Sequence, residues 1–198
     1  MPTEMFTALV VFASAMAFTP GPNNIMVTAS GVNFGFRRTL PHILGITFGF
    51  FVLIAVCAAG LGAVFAAYPP LQLVLKLTGA VYLLWLAWKI ASAAPVSAEQ
   101  ERVATPISFW QAALFQWVNP KAVVAAVSAI AIYVRPTHWL ADFTLLQIVF
   151  AIATLLAVAT WTGFGVALRR VLSDAKQARI FNVAMAVLLV GSIVPMVV

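Results

Sequence analysis

The chain has 198 residues, 64% of them hydrophobic and only 8% charged, with a mean hydropathy of +1.06. A soluble domain carries roughly 25% charged residues, so these charges are too few to solvate a surface and the surrounding medium must be lipid. The net charge of +6 does not point to nucleic acid, because the basic residues cluster in short loops beside apolar stretches, where they set membrane orientation.

A helix needs about 20 apolar residues to cross the hydrocarbon core. Charge-free stretches predict six such helices, at approximately 5–32, 41–66, 70–91, 107–133, 140–167 and 179–197. The N-terminus has no basic region ahead of a short apolar core, so the first stretch is expected to stay in the mature protein rather than be cleaved as a signal peptide. Gly31, Gly35 and Arg37-Arg38 are expected to close the first span. Tyr68-Pro69-Pro70 predicts a tight turn, and Arg135-Pro136-Thr137-His138 ends the fourth span. The longest polar stretch, Ala91 to Pro106, separates the two halves.

Two of the spans are interrupted near their centres. Thr19-Pro20-Gly21-Pro22-Asn23-Asn24 breaks the first and Asn119-Pro120-Lys121 the fourth. Proline removes a backbone donor and clashes with the preceding turn. Groups freed at that depth are tolerated only where protein or a water-lined cavity satisfies them. Paired breaks in corresponding positions of two halves point to a transporter's binding site.

After Pro22 a helix can restart with Asn23 and Asn24 in its first turn, and its free amides and dipole favour an anion such as a carboxylate. A proline kink for packing is the plain alternative. Lys121 is the one charged residue near the middle of a span, costly enough there to be a functional candidate by default. It could pair with a substrate carboxylate or release a proton as a coupling group. Alternatively, carbonyls freed at Pro120 hold it. The candidate binding residues are thus Thr19, Pro20, Gly21, Pro22, Asn23, Asn24, Asn119, Pro120 and Lys121.

Other features have blander readings. Gly45 and Gly49 are spaced for close helix packing. Tyr82, Trp85 and Trp88 read as lipid or helix contacts, and spacing leaves Trp110, Trp117 and Trp161 undecided. Asp142 and His138 are expected at a membrane interface, facing water. Cys57 has no partner for a disulfide or redox pair. His42 and His138 make no metal cluster, so no metal and no cofactor is expected. There is no nucleophile elbow, HExxH, P-loop or carboxylate pair within a span, hence no enzyme is expected. Transport would run on a gradient or on another protein's ATPase.

Eight basic residues fall in loops one, three and five (Arg37, Arg38, Lys89, Arg102, Arg169, Arg170, Lys176, Arg179), against Arg135 and Lys76 on the other side. This predicts the odd loops inside and both termini outside. The fold expected is a single all-α polytopic domain over 1–198. A first three-helix repeat would cover about 1–93 and a cytoplasmic loop about 94–106. A second, inverted repeat would follow over about 107–198. Aligning Pro20 with Pro120 places Val27 on Val127 and Thr28 beside Ser128.

Thr19-Pro20-Gly21-Pro22-Asn23, Gly35-Phe36-Arg37 and Asn119-Pro120-Lys121 resemble the LysE/RhtB family of amino-acid exporters over the whole chain. Ala80 to Lys89 resembles that family's third span, and Pro106 to Trp110 with Thr19 to Ile25 looks most like its cysteine/O-acetylserine exporter branch. The resemblance implies secondary export from the bacterial inner membrane, driven by protons. Family members exporting lysine or arginine carry an aspartate early in span two, where this chain reads Gly45-Ile46-Thr47-Phe48-Gly49-Phe50-Phe51. The implied substrate is therefore a small neutral amino acid or derivative, cysteine or O-acetylserine leading, with threonine, homoserine or leucine as alternatives. A non-transporting membrane scaffold or subunit is the reading from another class. Expected partners are the amino acid, the lipid bilayer, protons and a second copy of the chain in a homo-oligomer, with no nucleic acid.

Overall fold

A computed structural model describes residues 1–61, 67–92, 105–172 and 174–194. Most of the separating loop with Arg102, the C-terminal ends of the second and sixth predicted spans, and the side chain of Lys76 lie outside the described residues. Those residues are all-helical, without strands. Among the described residues there are seven α-helices: α1 Thr3–Phe18, α2 Pro22–Val56, α3 Pro69–Ala91, α4 Phe109–Val118, α5 Pro120–Tyr133, α6 Trp139–Val171 and α7 Ala175–Gly191. By length and composition, the stretches Pro22–Gly60 and Pro136–Arg169 can each cross a bilayer. The pair α4 and α5, bent by 67° at Asn119, makes a third if it counts as one span.

α2 is not straight. Gly35 has φ 75° and ψ 173°, a conformation that side-chain-bearing residues rarely adopt. The Ser30 and Thr39 hydroxyls hydrogen-bond at 2.9 Å, although nine residues of straight helix would separate them by roughly 13 Å. The chain must therefore fold back at Gly35, and residues 22–34 and 36–56 form two arms. The turn is a single glycine. Arg37, Arg38 and Pro41 are already helical, so the second arm starts earlier than the apolar pattern alone indicated.

Both proline motifs end one helix and start another. α1 stops at Phe18, and α2 restarts with Gly21 as N-cap and Pro22 as its first residue. α4 stops at Val118, and Asn119 caps a new helix whose first residue is Pro120. Proline suits that position because its missing N–H would have had no helical partner. The restarts equate Pro22, rather than Pro20, with Pro120. In that register Asn23 and Lys121 both take the second helical position.

Close packing around α2 rests on glycine and alanine. A methyl group on Gly49 would lie 2.5 Å from the Ala113 Cα and carbonyl oxygen in α4, and one on Gly45 would collide with the Phe109 carbonyl. Gly45 and Gly49 are thus the packing glycines their spacing indicated. Gly31 meets the Thr162 carbonyl of α6, and Gly165 meets that of Thr28, in the same way. α5 buries Ala122, Ala125, Ala126 and Ala129 on one face. Phe12 and Phe50 both pack edge-on against Phe150, joining α1, α2 and α6 in a shared apolar cluster.

Asp142 does not face water. Its side chain is fully buried and accepts from Arg135 Nε at 2.7 Å and Nη2 at 3.0 Å, with the Arg135 backbone N–H at 3.3 Å. Contrary to the expectation of a solvated carboxylate, a guanidinium seven residues away folds back across the Pro136–His138 turn to neutralise it, and the Met1 ammonium lies 3.5 Å from its Oδ1. His138 is exposed.

Two stability predictions follow from this packing. Gly165→Ala should destabilise the purified protein by about 1–3 kcal/mol through overpacking, whereas Gly163→Ala, with nothing within 4 Å of the added carbon, should be neutral or mildly stabilising. Thermal unfolding in detergent would read both. Arg135 is one-third exposed and Asp142 wholly buried, so Arg135→Ala, which leaves the buried carboxylate only the Met1 ammonium at 3.5 Å, should lower the melting midpoint more than Asp142→Asn.

Candidate functional site

The breaks meet. Lys121 Nζ, at the start of α5, donates to the Thr19 carbonyl oxygen at 2.7 Å, across 102 positions of sequence. The Asn23 and Gln116 side chains form a reciprocal amide pair, with Asn23 Nδ2 to Gln116 Oε1 at 2.8 Å and Gln116 Nε2 to Asn23 Oδ1 at 3.1 Å. A carbon on Gly21 would stand 3.1 Å from Lys121 Cδ and 3.2 Å from Nζ. Absence of a side chain there is what lets the lysine lie against the first break.

Several carbonyls exposed by the first break find partners from different directions. Asn24 Nδ2 donates to Ala17 O at 2.9 Å and to Thr19 O at 3.0 Å. Trp161 Nε1 of α6 donates to Phe18 O at 3.2 Å. The Thr19 hydroxyl turns back onto Ala15 O. Lys121 is thus held by a carbonyl freed at the opposite break, not at its own. Among the described residues no carboxylate pairs with it, and two of its three N–H donors remain available.

Between the breaks lies a cavity with about 60 Å³ accessible to the centre of a water molecule. One water needs about 10–15 Å³ by that measure, so the space admits several waters or the polar head of a small solute. Its polar lining comes from Asn23, Asn24, Gln116, Asn119, Lys121 and Thr154, and Phe50, Phe150 and Val158 close the apolar side. Helices α2 and α5 both begin here. Because Pro22 and Pro120 lack an N–H, the free first-turn amides belong to Asn23, Asn24, Lys121 and Ala122. Two helix starts and one ammonium give the cavity a positive field without a fixed anion. A second, open hollow of about 370 Å³, bordered by Pro20, Pro120, Val124 and Ser192, shares Gly21, Pro22, Asn119 and Lys121 with the first. The lysine stands in the wall between them.

Of the nine residues singled out from sequence, Gly21, Pro22, Asn23, Asn24, Asn119 and Lys121 line the inner cavity. Pro20 and Pro120 border the outer hollow, and Thr19 contributes its carbonyl to Lys121. Gln116 was missed, although an uncharged amide three residues before a break in an apolar span was a usable signal. Phe50, Phe150 and Thr154 carried none, since only tertiary packing brings them to the breaks. Among the described residues no group of histidine, cysteine or acidic side chains could hold a metal.

The family model of the LysE type translocator matches residues 14–194. The chain is 33% identical over 150 residues to the cysteine/O-acetylserine efflux protein of Klebsiella pneumoniae, covering 74% of this chain and 76% of that one. It is 31% identical over 192 residues to the protein of that name from Escherichia coli K12, covering 96% of each. The Shigella flexneri protein of the same name is 31% identical over 188 residues, 94% of each. No solved structure matches the chain significantly. With residues 14–194 matched by the family model and nearly the full length covered by relatives at 31% identity, the chain belongs to the LysE type translocator family.

Proposed function

We propose that the protein is a secondary transporter that exports small neutral amino acids or their derivatives across the bacterial inner membrane, holding the substrate where the two breaks meet. The observation that carries this reading is the polar cavity at the Lys121–Thr19 contact. A scaffold or subunit with packing kinks would be expected to close the same space dry. Cysteine or O-acetylserine is the leading substrate, supported by the similarity to cysteine/O-acetylserine efflux proteins. Threonine, homoserine and leucine are the alternatives.

In this reading α1 and residues 22–34 form the first span and α4 with α5 the fourth. At 1.5 Å per residue these pairs have summed helix lengths of about 44 and 36 Å, and the 67° bend leaves the second an end-to-end reach of about 30 Å, the thickness of a hydrocarbon core. Residues 36–56, α3, α6 and α7 supply the others. The six spans form two inverted three-helix units, termini outward, and the unit boundaries stay near 93 and 107. Alternating access then rocks one unit about the fixed site. Helices α2 and α5 approach from opposite sides, so their positive ends and Lys121 converge on a carboxylate. Protons are the proposed coupling ion, and a homo-oligomer is compatible with the exposed apolar helix faces.

The cavity lacks a carboxylate, so a second cation in the substrate would go unneutralised. Counterflow in proteoliposomes with a panel of labelled amino acids should show exchange of small neutral substrates, stimulated by an imposed pH gradient. Uptake confined to lysine or arginine would contradict the assignment. Lys121→Ala should cut exchange by at least about tenfold, the scale of a lost charge-assisted hydrogen bond, while membrane insertion is retained. Normal exchange by a well-expressed Lys121→Ala protein would remove the lysine from the site.

A further inference from the structure

Resting on the proposed function, the inventory of donors and acceptors in the cavity assigns one more role. Donors are in excess: Lys121 has two N–H groups to spare, and the first turns of α2 and α5 offer backbone amides. Several acceptors are taken, although Asn24 Oδ1 and Thr154 Oγ1, on residues that also line the cavity, receive no donor among the described residues. Thr19 O already receives Lys121 and Asn24. Asn23 Oδ1 and Gln116 Oε1 receive each other's amides.

Asn119 Oδ1 is different. The residue is 2% exposed, and its side-chain oxygen has no partner among the described residues. Other buried side-chain atoms share that lack, at His42, Tyr82 and Gln147, but none of those residues lines the cavity. Asparagine at an N-cap ordinarily bonds the second or third amide of its own helix. Asn119 makes no such bond. That acceptor is buried and unpaired, on a residue that lines both hollows and stands at the start of a helix with free first-turn amides. A buried polar group left in that state is costly unless a ligand or an ordered water completes it.

We infer that Asn119 Oδ1 receives the ammonium group of the substrate while Lys121 and the helix starts hold its carboxylate. The site then reads a zwitterion at both ends. It needs no carboxylate to do so, because a neutral amide oxygen accepts from an ammonium at a lower desolvation cost than a buried acid. The substrate's remaining side chain is left to the Phe50, Phe150 and Val158 side of the cavity, which suits a short, uncharged group.

The test uses matched pairs, each an amino acid and the carboxylate lacking its amino group, such as serine with 3-hydroxypropanoate and alanine with propanoate. They compete against exchange of a labelled neutral amino acid in proteoliposomes. The wild type should bind each amino acid about tenfold or more tighter than its partner, as expected for one hydrogen bond to a charged group. In Asn119→Leu that ratio should fall towards one, with the carboxylate's own affinity kept. Asn119→Asp, which retains an acceptor, should restore discrimination. A wild-type ratio below about two, which needs no variant, would overturn the assignment. So would equal weakening of both pair members in Asn119→Leu, which would mean that the amide serves the carboxylate instead. Absence of any amino-acid exchange by the wild type would instead remove the transport reading itself, and this role with it.

Discussion

In a bilayer, backbone groups that a proline releases from a helix must find partners inside the protein, because hydrocarbon offers none. That requirement organises the centre of this molecule. The break at Thr19 to Gly21 exposes carbonyls at the end of α1 and at its C-cap, and three of them are met from different places: Phe18 O by Trp161 of α6, Ala17 O by Asn24 of the next helix, and Thr19 O by Asn24 and by Lys121 of the other break. The contacts that complete the backbone are the same ones that tie α1, α2, α5 and α6 together. Loosening the break would therefore cost several interhelical contacts at once, so the two broken helices stay in register while a hole is left between them.

The hole depends on how closely the surrounding helices approach. Glycines on α2 sit against carbonyls of α4 and α6, and α5 presents a face of alanines. Without a hydrophobic driving force in lipid, such contacts gain stability from dispersion over short distances. Small residues thus draw the backbones together around the site, while Phe12, Phe50 and Phe150 fill the wider gap between α1, α2 and α6. The result is a tight frame around the polar space that the breaks leave.

Much of this was legible from composition and punctuation. Low charge identified lipid as solvent, and the proline motifs located the ends of α1, α2, α4 and α5 because proline acts locally. Lys121 stood out because a mid-span cation is so costly. What pattern could not supply was pairing. Nothing local says that Lys121 reaches Thr19 rather than its own break, or that Asn23 meets Gln116, since each joins residues more than 90 positions apart. The turn at Gly35 was smaller than expected because a single positive-φ glycine suffices, and basic side chains can continue on a helical first turn. Asp142 was misplaced because its neutralising partner lies across a proline turn. A carboxylate near a span end looks solvated until such a guanidinium is found.

The two breaks are alike in construction and unlike in content. Each starts a helix with proline, and each aims free amides at the same space. At the second helical position one carries Asn23 and the other Lys121; at the cap one has Gly21 and the other Asn119. Glycine at one cap is what makes room for the lysine rising from the other, and the asparagine opposite supplies the polar group that the glycine lacks. Had both breaks carried the same residues, two lysines would repel in one small cavity, or two amides would leave no charge to meet an anion. The difference gives the space a cationic side and a neutral accepting side. A molecule with a carboxylate at one end and an ammonium at the other is matched by that division, whereas a symmetric site would meet both ends with the same groups.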